Sequence, residues 1–156
     1  MNDLKPPRLA GDDRATIMAL WQYQRESFVR KVDGLSDEDA RRVLVPSGTS
    51  LLWLAQHLCM AEQLWVLQRF AGIDAAALDP RLVPGDSLGS AVAAYRATWR
   101  AVDDVVSASP LDAMCRNVEG PPTPLRWVIA HLLEETARHA GHADIIRELI
   151  DGRTGR

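Results

Sequence analysis

The sequence predicts an all-α fold, a four-helix bundle. Four segments repeat apolar residues at the three-to-four-residue spacing of an amphipathic helix, and no segment alternates convincingly as a half-buried strand would. Two longish connections rich in Asp, Pro and Gly separate these segments, which is how long helices are joined when they pack as a bundle. The 156 residues suit one domain, 1–156, with a sizeable core.

The first helix is expected over about 13–34. Ile17, Met18, Trp21, Phe28, Val29 and Val32 recur at helical spacing, Asp12 can act as N-cap, and Gly34 as a stop. In the following LSDEDARRVLVPSG, Ser36 with Asp39 can cap a short helical turn before Pro46-Ser47-Gly48 breaks the chain. The second helix starts at Thr49 or Ser50, covers about 50–71 and stops at Gly72. It is apolar nearly all round, which predicts burial. A connection from Ile73 to Asp86 follows. The third helix, about 87–107, carries Val92, Tyr95, Trp99, Val102 and Val106 as one stripe. The next connection, SPLDAMCRNVEGPP, holds an extended piece around Cys115–Val118. Thr123 as N-cap before Pro124 opens the fourth helix, about 124–151, which stops near Gly152; the final RTGR is a frayed tail.

Hydrophobic residues make up 47% and charged residues 25%, the balance of a soluble globular protein. A net charge of −3 argues against a nucleic-acid or anionic-membrane surface. The basic pairs Arg30-Lys31 and Arg41-Arg42 are too short to alter this. No apolar run is long enough to span a bilayer, and MNDLKPPRLAGDD lacks a signal peptide's apolar segment, so a cytoplasmic location is expected. Cys59 and Cys115 lie far apart in unrelated contexts, which suits reduced thiols; Cys59 reads as a small core residue.

The fourth helix carries the chemistry. With His131 at zero on a helical wheel, Glu135 falls at about +40°, His139 at about +80° and His142 at about +20°. Trp127, Val128, Ile145, Ile146 and Leu149 share that arc, so it is expected to face the core. Thr136, Ala140, Asp144, Arg147 and Glu148 form the expected solvated face. A carboxylate on an inner face needs a cation opposite it, either a metal ion or a protonated base. Residues one turn apart can converge on one ion, but spacing alone does not choose among His131 with Glu135, Glu135 with His139, and His139 with His142. A further ligand must come from another helix, and His57, within an apolar arc of the second helix, is the remaining histidine. All four histidines are then expected to face inward.

PSGTSLLWLAQHL with AEQLW, and TPLRWVIAHLLEETARHAGHADIIRELIDG, closely resemble the DinB-like superfamily, which includes mycothiol-dependent maleylpyruvate isomerases and bacillithiol S-transferases. The likeness extends over essentially the whole chain, most specifically at the fourth-helix motif. It implies an up-up-down-down bundle with a divalent metal at one end of its core. Its usual ligands are a second-helix histidine, matched by His57, and two fourth-helix residues four apart. The latter match Glu135, where the family commonly has histidine, and His139; His142 stands where glutamine is usual. The resemblance thus implies His57, Glu135 and His139 as ligands and leaves His131 a core histidine.

The open donor set suits Zn²⁺ or Ni²⁺, with Mn²⁺ or Fe²⁺ also compatible. The function expected is a thiol S-transferase or isomerase acting on a small-molecule substrate, with mycothiol or another low-molecular-weight thiol as co-substrate. His142 is the candidate for proton transfer. The alternatives are a metal-dependent hydrolase and a non-enzymatic, stress-linked metal- or ligand-binding bundle. Arg138 reads as the i,i+4 partner of Glu134, and Arg25 and Glu62 as helix-pairing charges. A homodimer using Trp53, Trp65 and Trp99 is expected as the oligomer.

Overall fold

The computed structural model describes residues 5–73, 79 and 81–154, and all its regular elements are helices. Asp12 caps helix α1 (Asp13–Val32) by accepting from the Ala15 amide at 2.7 Å, as its sequence position suggested. Ser36 likewise caps the short α2 (Asp37–Arg41), accepting from the Asp39 amide at 3.0 Å. Ser50 opens α3 (Leu51–Glu62), and Ser87 opens α4 (Leu88–Ser107). Helix α5 spans Leu125–Asp151 and closes on Gly152, whose φ of 74° is the left-handed conformation that glycine adopts without a Cβ penalty. Residues 74–78 and 80 of the connection after the second helix, and the end of the tail, lie outside the described residues.

Two local features differ from the sequence expectation. The second helix does not continue as α: from Gln63 to Phe70 it widens into a π-helix, closed by the Ala71 amide donating to the Val66 carbonyl at 2.9 Å. The carbonyls of Arg69 and Phe70 are then taken by the Arg116 and Asn117 amides. Nor does the Thr123 side chain cap α5. Its hydroxyl donates to the Pro121 carbonyl, while the Leu125 and Arg126 amides donate to the carbonyls of Ala113 and Leu111 at 2.8 and 2.9 Å. A β-bridge between Met114 and Pro124 holds those carbonyls in place, so the preceding connection satisfies the helix start that threonine was expected to cap.

The direction of the helices follows from their contacts. Trp21 meets Thr136, and Lys31 meets both Asp144 and Arg147, so α1 and α5 run parallel. Arg14 reaches the Val106 carbonyl, while Arg96 pairs with Glu26, so α4 runs against α1. His57 meets Glu135 and Trp65 meets Trp127, so α3 runs against α5. The bundle is therefore up-down-down-up, not the up-up-down-down order that the resemblance implied. The connections at 33–50 and 108–124 join antiparallel neighbours, whereas α3 and α4 run parallel.

Two apolar clusters fill the interior. One joins Phe28, Val32, Leu51, Leu54, Leu58, Tyr95 and Ile146; the other joins Trp21, Val66, Val102, Val106, Leu125, Ile129 and Leu132. Between them lies a buried ion pair. Arg25, fully buried, donates from Nε and Nη2 to the two oxygens of Glu62 at 2.8 and 2.6 Å, and from Nη1 to Asp103 at 2.8 Å. The Arg25 guanidinium lies 3.8 Å from the Trp21 ring centre. Burial raises the Glu62 pKa, although the fork of hydrogen bonds from Arg25 opposes that shift. Among the described residues no helix is long and apolar enough to cross a membrane.

Removing one partner of such a pair leaves a buried charge uncompensated. Arg25→Ala is therefore expected to lower stability by about 3–5 kcal/mol, read from urea denaturation midpoints. Arg25→Met combined with Glu62→Leu should recover most of that loss.

Candidate metal centre

The helical repeat sets the phase of the α5 stripes, but the neighbours decide which stripe is buried. Leu125, Val128, Ile129, Leu132, Thr136, Ala140, Ala143, Ile146 and Arg147 form the buried face. Thr136, Ala140 and Arg147, expected on the solvated side, are thus core positions, whereas Trp127, Ile145 and Leu149 are 47%, 58% and 53% exposed. Small side chains at 136, 140 and 143 suit close packing of α5 beside α1. Arg147 donates from Nη1 to the carbonyls of Lys31 and Asp33, satisfying the end of α1, and pairs through Nη2 with Asp151.

The ionisable stripe consequently lies in the groove between α3 and α5. Its members do not all face inward: His57, Glu135 and His139 are half-buried, His131 is half-buried at the groove's far end, and His142 is exposed. The expectation of four inward-facing histidines is corrected here, because the bundle axis lies toward Thr136 and Ala140.

The groove brings three donors together. His57 Nε2 lies 3.0 Å and His139 Nε2 3.1 Å from the same oxygen, Glu135 Oε1, and the donor atoms of the three residues all fall within 4.8 Å of one another. Trp53, one turn before His57, stacks on its ring with centroids 4.8 Å apart and planes 10° from parallel. The rings of His57 and His139 meet edge to face at 4.7 Å. His142 Nδ1 lies 3.3 Å from His139 Nδ1, so the outer nitrogen of His139 has its own partner.

Burial pushes the Glu135 carboxyl up, but the hydrogen bond from His57 and the field of His139 outweigh it and hold its pKa below the ordinary value. Burial, reinforced by the field of His57, holds His139 below the usual histidine value despite the opposing pull of Glu135. The site therefore favours an ionised carboxylate beside a neutral His139, the protonation states in which these groups ligate a metal.

Two imidazole nitrogens and one carboxylate oxygen are a donor set suited to a divalent ion. With metal–ligand bonds of about 2.0–2.1 Å, tetrahedral ligand atoms stand roughly 3.3 Å apart, close to the spacing between Glu135 Oε1 and the two histidines. Three donors would leave positions open for water or substrate.

The other candidates have separate roles. His131 is held between aromatics, stacked on Trp127 at 4.9 Å and edge-on to Trp65 at 5.0 Å, and is not a member of the donor cluster. Arg138 pairs with Glu134, as expected. Arg25 and Glu62 do pair helices, but as a fully buried bridge from α1 to α3. Trp99 is buried in the core and is unavailable for the dimer surface on which it was placed. Cys59 is buried with its sulfur 3.3 Å from Thr98 Oγ1, and burial raises its pKa; burial likewise raises that of Cys115. Neither cysteine is an activated thiolate. Sequence reasoning missed the stacking of Trp53 on His57 and of Trp127 on His131, although both pairs stand four residues apart, which is the signal for ring contact along a helix.

Fold and site together define a DinB-like helical bundle. A conserved protein from Enterococcus faecalis has a similar fold, with a TM-score of 0.71 at 14% identity, covering 92% of this chain and 100% of its own. A DinB-like protein from Bacillus cereus has the same TM-score of 0.71 at 19% identity, covering 86% and 91% respectively. The model of the mycothiol-S-transferase family matches residues 16–152, and the chain belongs to that family. No curated protein matches it.

The His139 shift carries a sign. Its folded pKa lies below the ordinary 6.5 of the unfolded chain, so the unfolded state takes up the proton first. The contribution of His139 to metal-free stability is expected to be intact above about pH 7 and to fall as pH drops through 6.5 toward the lower folded value. The check is the urea midpoint of chelator-treated protein against His139→Gln from pH 7.5 to 5.

Proposed function

We propose that the protein is a metal-dependent S-transferase or isomerase that uses a low-molecular-weight thiol of the mycothiol type. His57, Glu135 and His139 hold a divalent ion, with Zn²⁺ or Ni²⁺ preferred, and His142 moves a proton. The observation that carries this reading is the convergence of His57 Nε2 and His139 Nε2 on a single Glu135 oxygen at 3.0 and 3.1 Å, in a groove open to solvent. Membership of a family described by mycothiol S-transfer supports the reaction class.

A divalent ion held there would supply Lewis acidity, lowering the pKa of a thiol within its reach. The chain supplies the remainder. Stacking on Trp53 fixes the plane of His57, so its Nε2 is aimed into the groove before any ligand arrives. Ligation through Nε2 leaves the proton of His139 on Nδ1, where it donates to His142 Nδ1. His142 stands beside it on an exposed ring at the mouth of the site. In transfer, the thiolate sulfur bonds to the electrophilic carbon, and the leaving group departs with the electron pair of the broken bond. The proton released by the thiol is taken up by His142, and the resulting imidazolium returns it to any leaving group basic enough to need it. In isomerisation, the sulfur adds to one alkene carbon, the electron pair passes into the conjugated acceptor, the former double bond rotates, and expulsion of the thiolate restores it. With Cys59 buried and Cys115 outside the site, the sulfur nucleophile is the exogenous thiol.

Elemental analysis after metal loading should give stoichiometric ion for the wild type and a large loss for Glu135→Ala. An absence of metal from both would remove the basis of the reading. Loaded wild-type protein should consume mycothiol or bacillithiol with 1-chloro-2,4-dinitrobenzene, and His57→Ala should abolish this; metal retention without thiol consumption would point instead to hydrolysis or to binding alone. His142→Gln should retain metal and lower kcat by about 10²-fold, the ordinary scale of general acid–base catalysis, through lost uptake of the thiol proton and with its limb of the pH–rate profile removed. An unchanged profile would take His142 out of proton transfer.

A further inference from the structure

Beside the triad lies a small pocket, linked to it through His142, which lines the pocket and touches His139. Its volume is about 160 Å³, and it is lined by Val45, Ser47, Thr49, His142, Ile145 and Ile146. The walls come from two places. His142, Ile145 and Ile146 are the turn of α5 just beyond the proposed ligand His139. Val45, Ser47 and Thr49 belong to the turn before α3, tightened by the Gly48 amide donating to the Val45 carbonyl at 3.1 Å, with Gly48 at φ 80°.

Three features suit this pocket to a small molecule. Ile145 is 58% exposed, and it forms a wall of the pocket that no other described residue covers. Ile146, by contrast, is buried and forms a fixed floor. The hydroxyls of Ser47 and Thr49 lie 2.9 Å apart, one of them donating to the other, so one hydroxyl hydrogen of the pair remains for an oxygen acceptor. The volume matches a small occupant, since an apolar cavity of roughly 150 Å³ accommodates benzene. His142 joins the pocket to the chemistry, since it both lines the wall and lies 3.3 Å from His139.

We infer that this pocket is the acceptor subsite: it takes the apolar body of a compact electrophile, no larger than one ring, whose oxygen function faces Ser47 and Thr49. The inference rests on the transfer reading for what happens to the electrophile, but not for where it binds. An acceptor seated there places its reactive carbon beside His142, between the pocket and the triad, while the thiol approaches along the groove from the opposite side. Val45, Ile145 and Thr49 are then the residues that set acceptor size and polarity.

Binding and turnover test this separately. In methyl-labelled protein, benzamide should shift the Ile145 and Ile146 resonances in the wild type and equally in His57→Ala. The Ile146 shift should disappear in Ile145→Trp, whose indole fills the pocket from an exposed position, and both shifts should weaken at least threefold in apparent affinity in Thr49→Val. In turnover, Ile145→Trp should raise KM for 1-chloro-2,4-dinitrobenzene at least tenfold while leaving KM for the thiol unchanged. Benzamide shifts confined to other isoleucines, or an Ile145→Trp variant with unaltered KM for the electrophile, would overturn the assignment. Benzamide binding at Ile145 in a wild type that consumes no thiol would uphold the pocket as the ligand site and sink the transfer reading alone.

Discussion

The arrangement of the bundle depends on the Arg25–Glu62 pair. A guanidinium and a carboxylate with no solvent around them are tolerable only when each satisfies the other, and here the fork of Arg25 meets both oxygens of Glu62. The pair joins α1 to the last residue of α3, where the helix passes from α to π, so it sets the register of two helices at the point where one changes its winding. Arg25 also lies against the Trp21 ring, and Trp21 Nε1 donates to Thr136 Oγ1 at 3.2 Å. Thr136 returns its hydrogen to the Leu132 carbonyl at 2.7 Å. Three helices are thereby oriented by one buried chain of polar contacts.

That chain explains where the candidate centre lies. Thr136 turned toward α1 directs its neighbour Glu135 toward α3, and the histidine one turn later goes with it. Antiparallel packing of α3 then brings His57 opposite Glu135, with Trp53 stacked behind the imidazole. The donors stand at a groove rather than at the bundle's axis. They are buried enough for Glu135 and His139 to have shifted proton affinities, and open enough for a ligand to reach them. A fully enclosed triad would bind an ion without giving a substrate access to it.

The same groove presents different side chains along its length. At one end, Trp127, His131 and Trp65 form an aromatic wall; the triad lies in the middle; the pocket beneath Ile145 closes the other end. The proposed transfer would need a reactive centre with room on both sides, and this linear order would allow it. His142 stands at the boundary, touching His139 on one side and the pocket on the other.

The helices were legible in the sequence because amphipathic spacing and serine or aspartate caps act locally: Asp12, Ser36 and Ser50 or its neighbour marked helix starts without reference to the rest of the chain. The candidate residues His57, Glu135, His139 and His142 were also legible as types at helical spacing. Their ranking came from likeness to a family, since several pairs on α5 share the same geometry. Tertiary structure alone decided which stripe of α5 is buried. A wheel gives the angle between residues but not the direction of the bundle axis, and Trp21 and α1 supplied that direction by drawing in Thr136 and Ala140. It also decided the up-down-down-up order, the π turn after Glu62 and the capping of α5 by the carbonyls of Leu111 and Ala113. Each of these is settled by a partner distant in sequence, and local spacing carries no record of it.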